Sequence, residues 1–210
     1  LSTLRKELRY ITKNNLNTRY IMSRFEVVDN FLKEEEWLAQ QNTVYSKDFL
    51  WSFGRKNISL KHYSANHFKG VLFQHWFHGE ENENVNNFDD RFTSASQQIN
   101  TKQPYYDIMI KPILDKFDVK RVLNARTNLY TWWPETDNTA GTHIDHDVEQ
   151  DYLTLIYNIG ESDGGTYVEG HGKIDKVSNR LIVFDGKIPH RAVYQTNVKA
   201  QIATNINIIV

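Results

Sequence analysis

The sequence predicts a mainly β protein with flanking helices, in which an antiparallel sandwich or barrel follows a mixed α/β segment. From residue 119 onward, short β-rich runs follow one another and are separated by turn residues. Before that point, helix formers and polar residues are more frequent. We therefore expect a single domain over 1–210, with a helical and β buttress at 1–118 and a β core at 119–210.

Eight segments of the C-terminal part are predicted to be strands. They read RVLNARTNLYTWW, THIDHD, DYLTLIYNIG, GTYVEG, GKIDKV, NRLIVFDG, HRAVYQT and QIATNINIIV. The intervening stretches, such as PETDNTAG, ESDGG and GHG, are rich in Gly, Pro, Asn and Asp, which favour turns. Many short strands at regular spacing are typical of antiparallel sandwiches and barrels.

The N-terminal part contains predicted helices and one strand. Residues 1–22 are polar and basic and include a run able to form a short helix, whereas the segment 23–32 alternates enough to begin a strand. Residues 33–45 combine helix formers with an acidic first turn, which suits a helix N-terminus.

Two further segments precede the β core. Residues 103–117 carry apolar side chains at helical spacing, and Pro112 must kink that helix or begin part of it. The segment 79–91 is rich in Asn and acidic residues, which predicts a mobile loop.

Composition narrows the classes of function. The chain has 210 residues, 40% of them hydrophobic and 13% aromatic, so it is globular, and a formal net charge of −1 does not favour a nucleic-acid partner. It has no cysteine, so any metal must take nitrogen and oxygen ligands. Neither a membrane span nor a signal peptide is visible, which makes the cytoplasm the default expectation. Nothing in the pattern sets an oligomeric state.

The motif GTHIDHD, residues 141–147, is the strongest indication of chemistry. In an extended chain His143 and Asp145 share one face and can bind one ion, whereas His146 points away. His190, in the run FDGKIPHRAV, is the candidate third ligand. Two histidines and one carboxylate on one side of a metal, with open positions opposite, form the facial triad of non-haem iron(II) oxygenases.

The ordered set of motifs resembles the iron(II)- and 2-oxoglutarate-dependent dioxygenases, in particular their prolyl-hydroxylase-like branch with its small phage-encoded members. The stretches NLYTWWPETDNTAGTHID, LTLIYNIGESDGGTYVEG and NRLIVFDGKIPH carry the resemblance, which is close over 119–210 and looser over 23–45. It implies a double-stranded β-helix, or jelly-roll, fold. It also implies a catalytic Fe(II) bound by His143, Asp145 and His190, with 2-oxoglutarate and dioxygen as co-substrates.

Residues that contact 2-oxoglutarate are less well defined by the resemblance. Members of this branch hold its remote carboxylate with an Arg or Lys that opens the last strand, but this chain has Gln201 there. Lys199 lies at a similar spacing and shares strand parity with Gln201, so it is the expected anchor, with Arg126 as a further candidate. Tyr130 and Tyr157 resemble the tyrosines that contact 2-oxoglutarate in the family.

The expected reaction is hydroxylation of an unactivated C–H bond with release of succinate and CO2. A peptidyl proline or another side chain, a nucleoside and a small metabolite remain open as substrates. Gln201 also keeps a second hypothesis open, a metal-binding jelly-roll protein that has lost 2-oxoglutarate binding and turnover. A cupin-type metal enzyme ranks last, because such enzymes typically have more histidines at the metal.

Overall fold

The computed structural model describes residues 24–54, 72–79, 105–132 and 141–210. The predicted helix in 1–22 lies outside these residues, as does the predicted loop at 79–91 apart from Gly79. The helices of the described ranges are α1 (Glu34–Val44), α2 (Tyr106–Met109) and α3 (Lys111–Leu114). The strands are β1 (Phe25–Val28), β2 (Ser52–Gly54), β3 (Leu72–Gly79), β4 (Arg121–Thr131), β5 (Leu153–Asn158), β6 (Gly165–Val168), β7 (Gly172–Asp175), β8 (Arg180–Asp185), β9 (His190–Val193) and β10 (Ala200–Ile209).

The strands form two sheets, and every pairing is antiparallel. The large sheet has seven strands in the order β1-β8-β5-β10-β4-β3-β2, and the small sheet has three in the order β7-β6-β9. Strands from the N-terminal part therefore complete both edges of the large sheet, whose centre comes from the C-terminal part. The predicted β fold with flanking helices is confirmed.

Alternation along the strands gives the large sheet two different apolar faces. On β5, Leu155 and Tyr157 pack with Val44 and Met109 of the helices. Ile156, between them in sequence, lies in a separate cluster with Val168 and Ile174 of the small sheet and Ile182 of β8. Because both faces are covered, all six residues of β5 are buried.

Most of the predicted elements are present, and the exceptions are local. Seven of the eight C-terminal runs form strands, but THIDHD forms only an isolated bridge at His143. The helix expected at 103–117 is divided at Ile110, with Pro112 in the first turn of α3, where its missing N–H costs little. No helix in the described segments is long and apolar enough to span a membrane.

Asn179 joins the start of the chain's described part to the core. Its backbone has a φ of 56°, in the left-handed region that Asn tolerates. The side-chain Oδ1 accepts hydrogen bonds from Leu32 N at 3.0 Å and from the Tyr157 hydroxyl at 2.9 Å, while Nδ2 donates to Leu32 O at 3.0 Å. One buried amide thus fixes the segment before α1 against β5 and β8.

We expect Asn179→Ala to lower the free energy of unfolding by roughly 2–4 kcal/mol, because buried groups at Leu32 lose their partners. Tyr157→Phe removes only one of the bonds and should cost about 1 kcal/mol. Urea unfolding followed by circular dichroism measures both. Equal losses for the two variants would contradict the role given to Asn179.

Candidate functional site

Two backbone hydrogen bonds bring the THIDHD segment to β9. His143 N donates to His190 O at 2.9 Å, and His190 N donates to His143 O at 2.9 Å. The pairing is confined to this bridge, and the chain bends at Asp145 instead of continuing as the expected strand. The bridge places the two histidines side by side, with ring centroids 4.7 Å apart.

The bend aims the side chain of Asp145 between the two histidine rings. His143 Nε2 lies 3.7 Å from Asp145 Oδ1, and His190 Nε2 lies 3.7 Å from Asp145 Oδ2. One donor atom from each of the three residues lies within 4.8 Å of the others. Asp147 is exposed, and the His146 ring packs against Tyr152, 5.6 Å between centroids.

Hydrogen bonds define which nitrogen of each histidine is available. His143 Nδ1 lies 3.0 Å from Gly141 O, and His190 Nδ1 lies 3.3 Å from Ile188 O. A carbonyl oxygen only accepts, so each Nδ1 carries a proton and Nε2 is the ring nitrogen available to a ligand. Burial lowers the pKa of His190 to about 4, against an opposing effect of Asp145, so this ring is neutral at pH 7.

Asp145 is ionised and fixed from two sides. Arg126 Nη2 donates to its Oδ1 at 3.1 Å, and Asn207 Nδ2 donates to its Oδ2 at 3.1 Å. Burial alone would raise the pKa of Asp145, but the Arg126 guanidinium beside it more than offsets this and holds it well below the usual range. These two hydrogen bonds fix the orientation of the carboxylate, as hydrogen-bonding partners of the ligands do in metal sites.

The donor set fits a divalent cation such as Fe(II). Two imidazole nitrogens and one carboxylate are the ligand types preferred by non-haem iron. Two bonds of about 2.1 Å to one ion reach donors up to about 4.2 Å apart, which includes the 3.7 Å separations between each Nε2 and the Asp145 carboxylate. Within the described residues, His190 Nε2 is buried without a hydrogen-bond partner, although it points at the Asp145 carboxylate. Such an atom is explained by an ion between the rings and the carboxylate.

Tyr152 connects the two segments that carry the candidate ligands. Its hydroxyl accepts a hydrogen bond from His146 N at 3.0 Å and donates to Gly186 O at 2.7 Å. Gly186 N in turn donates to Tyr152 O at 2.8 Å. A Cβ at Gly186 would lie 2.0 Å from the Tyr152 ring, so only glycine allows this approach. The turn before His190 and the bend at Asp145 are thereby held in one position.

A cavity between the two sheets opens onto His143 and His190. Its walls include Arg126, Tyr130 and Gln201, which were expected near a co-substrate, together with His143 and His190. Tyr130 is nearly buried, and its ring lies 5.5 Å from that of Tyr194. The structure thus brings three of the residues expected at a co-substrate site to the same cavity.

Tyr157 and Lys199 are not brought to this cavity. Tyr157 points to the helix-covered face of the large sheet, where its hydroxyl bonds Asn179, because Ile156 and Asn158 occupy the cavity face of β5. Lys199 precedes the first residue of β10 and is exposed in a bend, so the strand parity expected for it does not apply. The assignment of Tyr157 and Lys199 as co-substrate residues stays a prediction, and the geometry of this cavity does not support it.

Lys176 lies on the cavity wall and was missed in the sequence. It follows β7, is 5% exposed, and its Nζ donates to Asn158 Oδ1 at 3.2 Å. Burial lowers its pKa to about 7. Strand parity gave no signal for this residue, because Lys176 lies one position beyond the end of β7.

Solved structures with a similar fold are known, although no model of a protein family and no curated protein sequence matches the chain significantly. A prolyl hydroxylase from Trichoplax adhaerens, in complex with a peptide fragment of the hypoxia inducible factor oxygen degradation domain, has 19% identity and a TM-score of 0.51. That match covers 99% of this chain and 92% of the other.

Two further solved structures are also similar. AviO1 from Streptomyces viridochromogenes has 10% identity and a TM-score of 0.54, over 90% of this chain and 91% of the other. The epimerase SnoN, in complex with Fe3+, alpha ketoglutarate and nogalamycin RO, has 10% identity and a TM-score of 0.53, over 97% of this chain and 83% of the other. These likenesses confirm the expected double-stranded β-helix, and with it the resemblance at the level of the fold.

We expect Tyr152→Phe to weaken metal binding about ten-fold while the protein stays folded, because the two ligand-bearing segments lose a shared hydrogen-bonding group. Tyr45→Phe, at an exposed tyrosine, is the matched control. Anaerobic titration with Fe(II) gives the dissociation constants. Unchanged affinity in Tyr152→Phe would show that the bridge alone positions the ligands.

Burial of Lys176 also predicts a pH-dependent stability. Its pKa falls from 10.5 when solvated to about 7 in the folded chain, so between these values the unfolded chain binds one more proton. The free energy of unfolding therefore rises with pH across this window. Below about pH 7 the buried lysine is charged in the folded chain, and the full cost of burying that charge lowers the stability.

Lys176→Met removes this contribution. We expect the stability of the variant relative to the unsubstituted protein to be highest near pH 6.5 and to decline toward about pH 9.5, as the lysine penalty fades. Urea unfolding of both proteins at the two pH values measures the difference, in the absence of added anions. A difference independent of pH would mean that Lys176 keeps an ordinary pKa.

Proposed function

We propose that the protein is an Fe(II)- and 2-oxoglutarate-dependent dioxygenase that hydroxylates its substrate and releases succinate and CO2. One observation carries the proposal: His143, Asp145 and His190 present three ligand atoms toward each other beside a cavity that also contains a buried cation. The fold adds support, because the similar SnoN structure contains Fe3+ and alpha ketoglutarate.

Each residue has a separate task in this proposal. His143 and His190 offer neutral Nε2 atoms and Asp145 offers an ionised carboxylate, which leaves other coordination positions for co-substrates. The bound iron would supply the redox chemistry that activates dioxygen. Arg126 and Asn207 keep the carboxylate oriented, and the apolar wall formed by Ile156 and Ala203 limits access of water to the cavity.

The substrate is proposed only as a class. A C–H bond of a peptidyl proline or another side chain, of a nucleoside or of a small metabolite would have to enter through the cavity. Among the similar structures, one contains a peptide fragment and another contains nogalamycin RO, so the fold accepts both kinds of molecule. The wall also presents Arg191, stacked on Tyr167 at 3.9 Å, as a charged group for a substrate to meet.

A metal-binding protein without turnover is the second candidate, and Gln201 favours it. This neutral side chain lies on the cavity wall where the related enzymes have a cation. The two candidates differ in one measurable product. Succinate formation that requires both Fe(II) and 2-oxoglutarate supports the dioxygenase, whereas tight metal binding without succinate supports the alternative.

The triad itself can be tested by substitution. His143→Ala and His190→Ala should each abolish stoichiometric Fe(II) binding and succinate formation, because two ligands hold the ion weakly. His146→Ala, from the same motif, should retain both, since its ring packs against Tyr152. Metal analysis after anaerobic dialysis, with circular dichroism as a folding check, gives the answer. Loss of iron from His146→Ala alone would overturn the ligand assignment.

A further inference from the structure

The ammonium group of Lys176 is buried on the cavity wall, and the residues that the structure describes give it no counter-ion. In the described part of the chain its Nζ has one hydrogen-bond partner, the neutral Asn158 amide oxygen at 3.2 Å. No described carboxylate offsets the effect of burial on its pKa. A buried cation without an anion costs several kcal/mol of stability, so a residue such as Met would suit the same space better in the absence of a ligand.

The other two cations on the cavity wall are already engaged. Arg126 donates to Asp145 at 3.1 Å, and Arg191 stacks on Tyr167 and donates to Thr142 Oγ1 at 3.1 Å. Arg191 is only partly buried and its guanidinium is held against the Tyr167 ring, whereas Lys176 is buried and its described contacts leave two of the three ammonium donors for an anion.

Gln201 cannot supply the missing charge. Its Nε2 donates to Val193 O at 3.3 Å, and its Oε1 accepts from Ser162 Oγ at 3.1 Å, so both ends of the amide have protein partners. A carboxylate that enters this cavity gains a neutral neighbour at Gln201 and a positive one at Lys176.

We propose that Lys176 binds the remote carboxylate of 2-oxoglutarate, in place of the cation that position 201 lacks. The inference rests on the proposed function, because it assumes that the other end of the dicarboxylate meets an ion at the triad. Asn158 holds the Lys176 ammonium at the wall, and the anion offsets the cost of its burial. The charge of the co-substrate site has thus moved from the start of β10 to the end of β7.

The test compares two ligands that differ only at the remote end. 2-Oxoglutarate and 2-oxopentanoate share the keto acid that meets the metal, but only 2-oxoglutarate has the second carboxylate. Isothermal titration with Mn(II)-loaded protein measures both affinities without turnover. We expect Lys176→Met to bind 2-oxoglutarate roughly 10- to 100-fold more weakly and to bind 2-oxopentanoate as the unsubstituted protein does. Lys199→Met, at the exposed lysine, should change neither affinity.

A second substitution tests the relocation of charge. Gln201→Arg added to Lys176→Met should restore at least part of the preference for 2-oxoglutarate, which a merely structural role for Lys176 would not allow. Retained Mn(II) binding shows that each variant is folded at the site. Equal affinity of the unsubstituted protein and Lys176→Met for 2-oxoglutarate would overturn the inference and leave the proposed function intact. Failure of the unsubstituted metal-loaded protein to bind 2-oxoglutarate would overturn both.

Discussion

The site depends on the reciprocal backbone hydrogen bonds between His143 and His190, 47 positions apart in the chain. Each bond uses an N–H and a carbonyl that would otherwise be left unpaired near the cavity. Because the pairing ends after this single bridge, the chain is free to bend at Asp145 and return its carboxylate toward both rings. In a continued strand, backbone hydrogen bonds to β9 would fix this segment. Here the Tyr152 hydroxyl fixes the bend instead, through hydrogen bonds to His146 N and Gly186 O.

Charge in the cavity is arranged in two separate places. At one end, the buried Asp145 carboxylate is compensated by Arg126 and by hydrogen bonding from Asn207. At the other, Lys176 is buried beside a neutral amide and has no described anionic partner. The charge of the Asp145 carboxylate is compensated without a ligand. The Nε2 lone pairs of His143 and His190 stay available for an ion. Burial of the Lys176 ammonium lowers the free energy of unfolding as long as no anion is bound. An anion that binds there offsets this cost, which contributes to its binding free energy.

Sequence patterns predicted the strands well because period-two alternation and turn residues are local signals. They predicted less well which side chains face the cavity, because β5 is buried on both faces and its sequence shows no polar and apolar alternation. Nothing in LTLIYN tells whether Ile156 or Tyr157 faces the small sheet, and the choice of Tyr157 followed a family resemblance rather than a physical signal. The parity argument for Lys199 assumed that β10 begins one residue earlier than Ala200, so it did not predict the exposed position of this side chain. Lys176 gave no local signal, since it lies one position beyond the end of β7 and its burial depends on the packing of the two sheets.

A crystal structure of the protein grown anaerobically with Mn(II) and 2-oxoglutarate tests the central claim most directly. Anomalous scattering locates the ion, and difference density locates the dicarboxylate. The account predicts one ion bound by Nε2 of His143, Nε2 of His190 and a carboxylate oxygen of Asp145, with the remote carboxylate against the Lys176 ammonium. An ion bound at other residues, or an empty triad beside a bound dicarboxylate, would contradict it.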